Sequence, residues 1–312
     1  MSFTSEIKKQ ITDVKIIDKK AQSAFISAFL RTCGSVETSS DDIGFSAYSE
    51  EDSLKYFARL IKLRYGKTCV IEKVAKTERA RATLIDGDSL YILTDLGILK
   101  KDGGGIEVSL NIGADVCPDE VSAKAFIAGA FLGAGSITVP KLFEGRAQTK
   151  TGYHLEVVFS KYVTAADFSS LLAENGFFPK LVERKEQFVV YFKNVEEIES
   201  FIGMCGANGA YFKLNDLQIQ KEIRNRENRK INCEMSNMTK TIDASIRSRE
   251  DIKTVIDCVG AEGLSEPLRL VADARLNNED MSLQELADML GISKSCLTHR
   301  LRKLSELAKT LR

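Results

Sequence analysis

The chain has 312 residues, 44% hydrophobic and 28% charged, and its Lys and Arg balance its Asp and Glu to a formal net charge of zero. That length favours two domains over one core, and the apolar share excludes a chain too polar to fold. No apolar run is long enough for a membrane span, and the opening MSFTSEIKKQ lacks the apolar stretch of a secretory signal, so a cytoplasmic protein with no membrane partner is expected.

The first chemically distinctive segment is AFISAFLRTCGSV at residues 24–36, an apolar helix candidate ending at Gly34. An acidic stretch overlaps its end: residues 32–54 carry Glu37, Asp41, Asp42, Glu50, Glu51 and Asp52 and no basic residue. Six acids there predict a poor surface for phosphate, and therefore a first half that meets a protein or nothing. IGFSAYS then alternates like a strand, and EDSLKYFARLIKLRYG places Leu54, Phe57, Ala58, Ile61 and Leu63 at helical spacing. CVIEKV and RATLI read as strands, and a helix is predicted near Ser89 to Leu99. Residues 101–120, with Gly103, Gly104, Gly105 and Pro118, read as a linker or hairpin. No Lys-Ser/Thr follows the glycines, so a phosphate loop is not indicated.

The pattern then starts again. AFIAGAFLGAGSI at residues 125–137 matches the first segment at five of thirteen positions, Ala24/Ala125, Phe25/Phe126, Ile26/Ile127, Gly34/Gly135 and Ser35/Ser136. It is followed by YHLEVVFS with strand alternation, by the helical TAADFSSLLAENG stopped at Gly176, by KLVER and QFVVYF, and by a helix near Val195 to Cys205. A unit of helix, strands, helix, strands, helix therefore occurs twice, over about residues 20–100 and 121–206. In the second copy Ala128, Gly129, Gly133, Ala134 and Gly135 lower helix propensity but let two backbones approach closely, which predicts helix against helix across a pseudo-two-fold axis.

These segments resemble the paired LAGLIDADG helices of homing endonucleases, whose strands form a saddle over DNA. The resemblance implies an α+β scaffold over residues 1–220. It also places the family's acidic metal ligands, one per copy just before the final glycine, at Cys33 and Ala134. Magnesium demands hard oxygen ligands, which neither residue offers, and Arg31 and Leu132 at the other acidic motif position do not replace them. No catalytic residue, metal or other cofactor is then expected. The rivals are an active homing endonuclease and a scaffold that binds a protein or small ligand. The seven cysteines, Cys33, Cys69, Cys117, Cys205, Cys233, Cys258 and Cys296, stand singly with no C-x-x-C pair, and read as reduced, mostly buried thiols.

Residues 221–246 read as a basic linker helix with Arg226, Arg229, Lys230 and Asn237 near one face and Ile223, Ile231 and Met238 as an apolar stripe. Its cations suit a solvated linker or the DNA backbone. Residues 247–312 read as a separate all-α domain, with helices near Arg249 to Val259 and from N-cap Ser265, with Pro267 in the first turn, to Leu276. SLQELADMLGISKSCLTHRLRKL then carries Leu283, Leu286, Ala287 and Leu290 on one helical face, Gly291 at a tight turn, Ser293 as a cap, and Leu297, Leu301 and Leu304 as a second apolar face. A small residue followed four later by glycine is the helix-turn-helix signature. With Ser293 at its start, the second helix presents Lys294, Ser295, Thr298, His299, Arg302 and Lys303 to solvent, a set of side chains that reach base edges and phosphates in a major groove. The charge agrees: residues 291–312 hold Lys294, Arg300, Arg302, Lys303, Lys309 and Arg312 against Glu306 alone. Arg300 departs from the phage-repressor pattern, and the register is closer to sigma-factor and winged-helix readers.

The doubled endonuclease-like scaffold, RNRENRKINCEMSNMTKT and the terminal helix-turn-helix together resemble the WhiA family of bacterial regulators over nearly the whole chain. That resemblance implies a nucleoid-associated transcription factor that binds double-stranded promoter DNA. It also implies links to sporulation in filamentous bacteria and to cell division or chromosome segregation in others.

Overall fold

Both motif helices are capped by an aspartate and stopped by a glycine. In the computed structural model, which describes residues 2–38, 42–75, 77, 79–103, 105–140 and 152–312, α2 (Lys19–Cys33) and α5 (Glu120–Ala134) start where Asp18 and Asp119 accept the Ala21 and Ser122 amides, at 2.8 Å each. Each helix passes directly into a strand at Gly34 or Gly135. A Cβ there would lie 2.6 Å from the Leu30 carbonyl or 2.5 Å from that of Phe131, so only glycine allows so abrupt a change.

The elements downstream then follow one order in both copies. The first has β1 (Gly34–Thr38), β2 (Ile43–Glu50), α3 (Glu51–Tyr65), β3 (Val70–Lys73), β4 (Arg79–Ile85) and α4 (Ser89–Asp95). The second has β7 (Gly135–Thr138), β8 (His154–Phe159), α6 (Tyr162–Glu174), β9 (Lys180–Arg184), β10 (Gln187–Phe192) and α7 (Val195–Met204). Their antiparallel sheets have the matching orders β1-β2-β4-β3 and β7-β8-β10-β9. The predicted α+β doubled scaffold is therefore present. Between the copies, β5 (Leu99–Asp102) and β6 (Gly105–Val108) form the hairpin at the glycine run, of which Gly104 lies outside the described residues. The helix predicted to reach Leu99 ends at Asp95, because Gly97 takes φ +64° and turns the chain into β5.

The packing explains the small residues. A Cβ on Gly129 would sit 2.4 Å from the Phe25 carbonyl, and one on Gly133 would sit 2.1 Å from the Thr32 hydroxyl, so α2 and α5 meet backbone to backbone. Around that contact, Phe57 of α3 stacks on Phe29 at 4.9 Å and Phe168 of α6 meets Phe126 at 6.5 Å, so each copy adds aromatic pairs to one shared core. A further helix outside the two repeats, α1 (Phe3–Asp13), buries Ile7 and Ile11 completely and ties itself to β7 through Thr4, whose hydroxyl donates to the Ile137 carbonyl at 3.1 Å.

The chain divides into two units, Met1–Ile219 and Gln220–Arg312. The linker helix and the segment near Arg249 to Val259, read as separate, form one helix, α8 (Asn208–Val259). The reason is compositional: no glycine or proline stands between Gly209 and Gly260, and Gly260 ends the helix at φ +70°. Then come α9 (Glu266–Asn277), α10 (Leu283–Met289) and α11 (Lys294–Leu311). Ile252 and Val255 of α8 join Val271, Leu286, Leu297 and Leu304 in the core of the second unit. No helix among the described residues is long and apolar enough to cross a membrane.

Candidate nucleic-acid interface

The helix-turn-helix is built by local chemistry. Ser282 and Glu285 form a reciprocal capping box at the start of α10, with the Ser282 amide donating to the Glu285 carboxylate at 2.7 Å. Ala287 is fully buried, which lets α11 cross close by. At the turn Gly291 takes φ +64° and the Ile292 amide reaches back to the Ala287 carbonyl at 3.0 Å, satisfying an otherwise orphaned acceptor. Ser293 then caps α11 by accepting the Cys296 amide at 3.2 Å. Leu297, Leu304 and Ala308 anchor one face of α11, and Leu301 lies half-buried beside them.

The opposite face is open. Ser293, Lys294, Ser295, Thr298, His299, Arg302 and Lys303 are all exposed on one turn-and-helix surface. Thr298 spends its hydroxyl proton on the Lys294 carbonyl at 2.8 Å, and Arg302 makes a loose pair with Glu306 at 3.5 Å, with both side chains largely in water. A pair so exposed exchanges readily for a phosphate or a base edge. Arg300, the residue that departs from the phage-repressor pattern, is half-buried. No strand follows β10 among the described residues, so this helix-turn-helix carries no wing, although its register resembles winged readers.

Arg226, Arg229 and Lys230 are exposed on α8, but Lys230 stands ten residues before Lys240, where α8 begins to line a surface shared with α11. At the helical rise this is about 15 Å along the axis. The structure does not bring these three cations to the α11 surface. Ile223, Ile231 and Met238 are exposed too, at 54%, 55% and 62%, so the predicted stripe is not buried within the chain.

At the former motif positions, Cys33 ends α2 and Ala134 ends α5. The Cys33 thiol donates to the Phe29 carbonyl at 3.2 Å, and burial pushes its pKa up to about 12. Arg31 is a structural clamp: it donates to the Gly97 carbonyl at 2.6 Å, to the Ser109 carbonyl at 2.9 Å and to the Ser27 hydroxyl at 3.3 Å. No cluster of three or more His, Cys, Asp or Glu placed to hold a metal occurs among the described residues. His154 pairs with Glu156 at 2.9 Å on β8.

The acidic segment is less bare than its sequence suggests, because bases arrive from other strands. Glu37 accepts from Arg81 of β4 at 2.8 Å and from Ser46 at 2.5 Å, and these partners hold its carboxyl below the usual range. Glu51 pairs with Lys55 at 2.8 Å and with Lys73 of β3 at 3.3 Å. Asp41 lies outside the described residues.

Thiol reactivity offers a direct check on this half. Cys33, Cys69 and Cys117 are pushed up to about 12 by burial, and Cys205 higher still, whereas Cys233 and Cys258 are exposed. Since the thiolate is the nucleophile, brief alkylation of the native protein at pH 8 is expected to modify Cys233 and Cys258 well before the other four. Peptide mass spectrometry reads the order, and early modification of Cys33 would contradict a thiol whose proton is held on the Phe29 carbonyl.

Comparison with known proteins agrees with both units. A family model described as the WhiA C-terminal HTH domain matches residues 228–308, and one described as the WhiA LAGLIDADG-like domain matches residues 123–224. Relatives named "Probable cell division protein WhiA" are 33% identical in Clostridium beijerinckii and 32% identical in Bacillus licheniformis, with 100% of this chain and 99% and 98% of theirs aligned. The crystal structure of full-length DUF199/WhiA from Thermatoga maritima matches over 99% of both chains at a TM-score of 0.58 and 20% identity, a likeness of fold.

Proposed function

The chain belongs to the WhiA family, and from that we propose that it is a sequence-specific regulator of transcription that binds promoter DNA through α11. The observation that carries this reading is the exposed surface of Ser293, Lys294, Ser295, Thr298, His299, Arg302 and Lys303 on a helix that Leu297, Leu304 and Ala308 anchor in the core from its other face. Such a helix presents a bidentate donor and smaller polar groups at the depth of base edges.

In this reading the LAGLIDADG-like half has given up strand cleavage, since a thiol and a methyl stand where two carboxylates would need to converge. It serves instead as a platform, with a protein partner as its natural complement. The relatives' name supports a role in cell division, and the same regulator acts on the nucleoid in chromosome segregation and, in filamentous hosts, in sporulation.

The test is selection of bound duplexes from a random pool by the full-length protein, followed by the same selection with residues 221–312. Both are expected to enrich a common motif, with affinity that falls steeply as salt rises. Enrichment by residues 1–220 but not by residues 221–312 would place recognition in the wrong unit.

A further inference from the structure

Beside α11 runs a furrow of about 510 Å³ that belongs wholly to the second unit. One wall is a face of α8 and the other is the flank of α11 from Thr298 to Ser305. The furrow exists because the facing side chains are short, notably Ala244 and Ser248 on α8 and Ser305 on α11. Its floor is apolar, from Leu283 and Leu301.

Its charge is one-sided. Lys240 and Arg247 stand exposed on the α8 wall with no carboxylate in ion-pair distance among the described residues, and Arg302 stands on the opposite rim. Beneath lies Arg275, only 3% exposed, whose Nη1 donates to the Met281 carbonyl at 2.7 Å while its Nε has no partner. Asp251 is the lone acid in the lining, and its oxygens are taken by Ser305 at 2.6 Å and Arg312 at 3.0 Å. A groove with cationic walls, an under-used buried guanidinium and an apolar floor suits a chain of sugars joined by anions. A helix lying in a major groove has a phosphate strand on each side of it, and the furrow occupies one flank of α11.

We propose that this furrow seats the phosphodiester backbone of the duplex that α11 reads, with Lys240 and Arg247 as the phosphate contacts and deoxyribose against Leu283 and Leu301. The inference rests on the DNA-binding reading above and adds α8 to the interface, at positions C-terminal to Arg226, Arg229 and Lys230. It makes α8 a second, sequence-independent anchor that fixes the register of α11.

The experiment titrates full-length protein by fluorescence anisotropy with a selected duplex and with a random duplex, each from 50 to 300 mM NaCl, roughly the range in which counterion release dominates. Lys240→Gln with Arg247→Gln is expected to lower affinity about tenfold for both duplexes alike, leaving their ratio unchanged, and to shrink the salt slope by about one to two. Lys240→Arg with Arg247→Lys is expected to keep both affinity and slope, which a loss of folding would not allow. Wild-type affinity and slope in the glutamine pair would overturn the inference and leave an acidic peptide as the better occupant. Absence of any DNA binding by the unmodified chain would overturn the regulatory reading and this inference with it.

Discussion

Replacing Arg302 with alanine is expected to cost about 1–3 kcal/mol of binding to a selected duplex, roughly 5- to 150-fold in affinity, with a smaller loss on random DNA. The side chain is exposed and, among the described residues, is held by a single 3.5 Å contact with Glu306, so little native structure depends on it. Removing it also leaves Glu306 unpaired on a face directed at phosphate, which adds repulsion to the lost contact. Glu306→Gln separates the two effects: alone it should tighten binding slightly, and combined with Arg302→Ala it should recover part of the loss. Lys294→Ala, at the first residue of α11, belongs to the same series and tests the end that enters the groove. Equal affinity of Arg302→Ala and Lys294→Ala with the unmodified protein on every duplex would mean that another face of α11 meets DNA.

Much of this surface is legible in the amino-acid sequence alone. Leu283, Leu286, Ala287, Leu290 and Gly291 set helix, turn and crossing by period and size alone, and the structure places Leu286 and Ala287 in the core as that pattern requires. The paired helices were legible for a similar reason, since Gly129 and Gly133 have little use in a helix unless something comes close. What stayed hidden depends on long-range packing. α1 offers only Phe3, Ile7 and Ile11 among polar neighbours, and its burial is decided by elements that lie far along the chain. The furrow is the same kind of case: Lys240, Arg247, Arg275 and Arg302 are remote in sequence, and they converge because Ile252 and Val255 share one core with Leu297 and Leu304. The basic residues that the sequence made conspicuous, Arg226, Arg229 and Lys230, lie outside that convergence.

Restoring carboxylates at the two motif positions should weaken the fold without creating a nuclease. Cys33 and Ala134 are the last residues of α2 and α5, where helix carbonyls already concentrate negative charge, so an aspartate at either site is disfavoured. Both sites are half-buried, and the Cys33 sulfur lies 3.3 Å from where a Cβ on Gly133 would stand. Ala134→Asp alone should therefore cost about 1–3 kcal/mol, and the double variant with Cys33→Asp more than the sum, because two carboxylates are brought toward one another. The penalty carries a pH signature. An aspartate destabilised in its charged form has a folded-state pKa raised above its ordinary value near 3.9, so the loss is complete above the raised pKa. It fades as pH falls through that value, and disappears below the unfolded-state pKa. Urea unfolding at pH 8 and pH 5 is expected to show a smaller deficit against wild type at the lower pH. An equal deficit at both would point to steric strain in place of charge. Supercoiled plasmid and the selected duplex, incubated with Mg²⁺ or Mn²⁺, should stay intact with all three proteins. In-line cleavage needs each ion held by several oxygens in a fixed arrangement, and two new carboxylates at a contact shaped for Gly129 and Gly133 do not supply that coordination. Metal-dependent nicking by the unmodified protein, abolished by chelator and absent from a mock preparation, would show that this half still carries out chemistry through residues other than the motif pair.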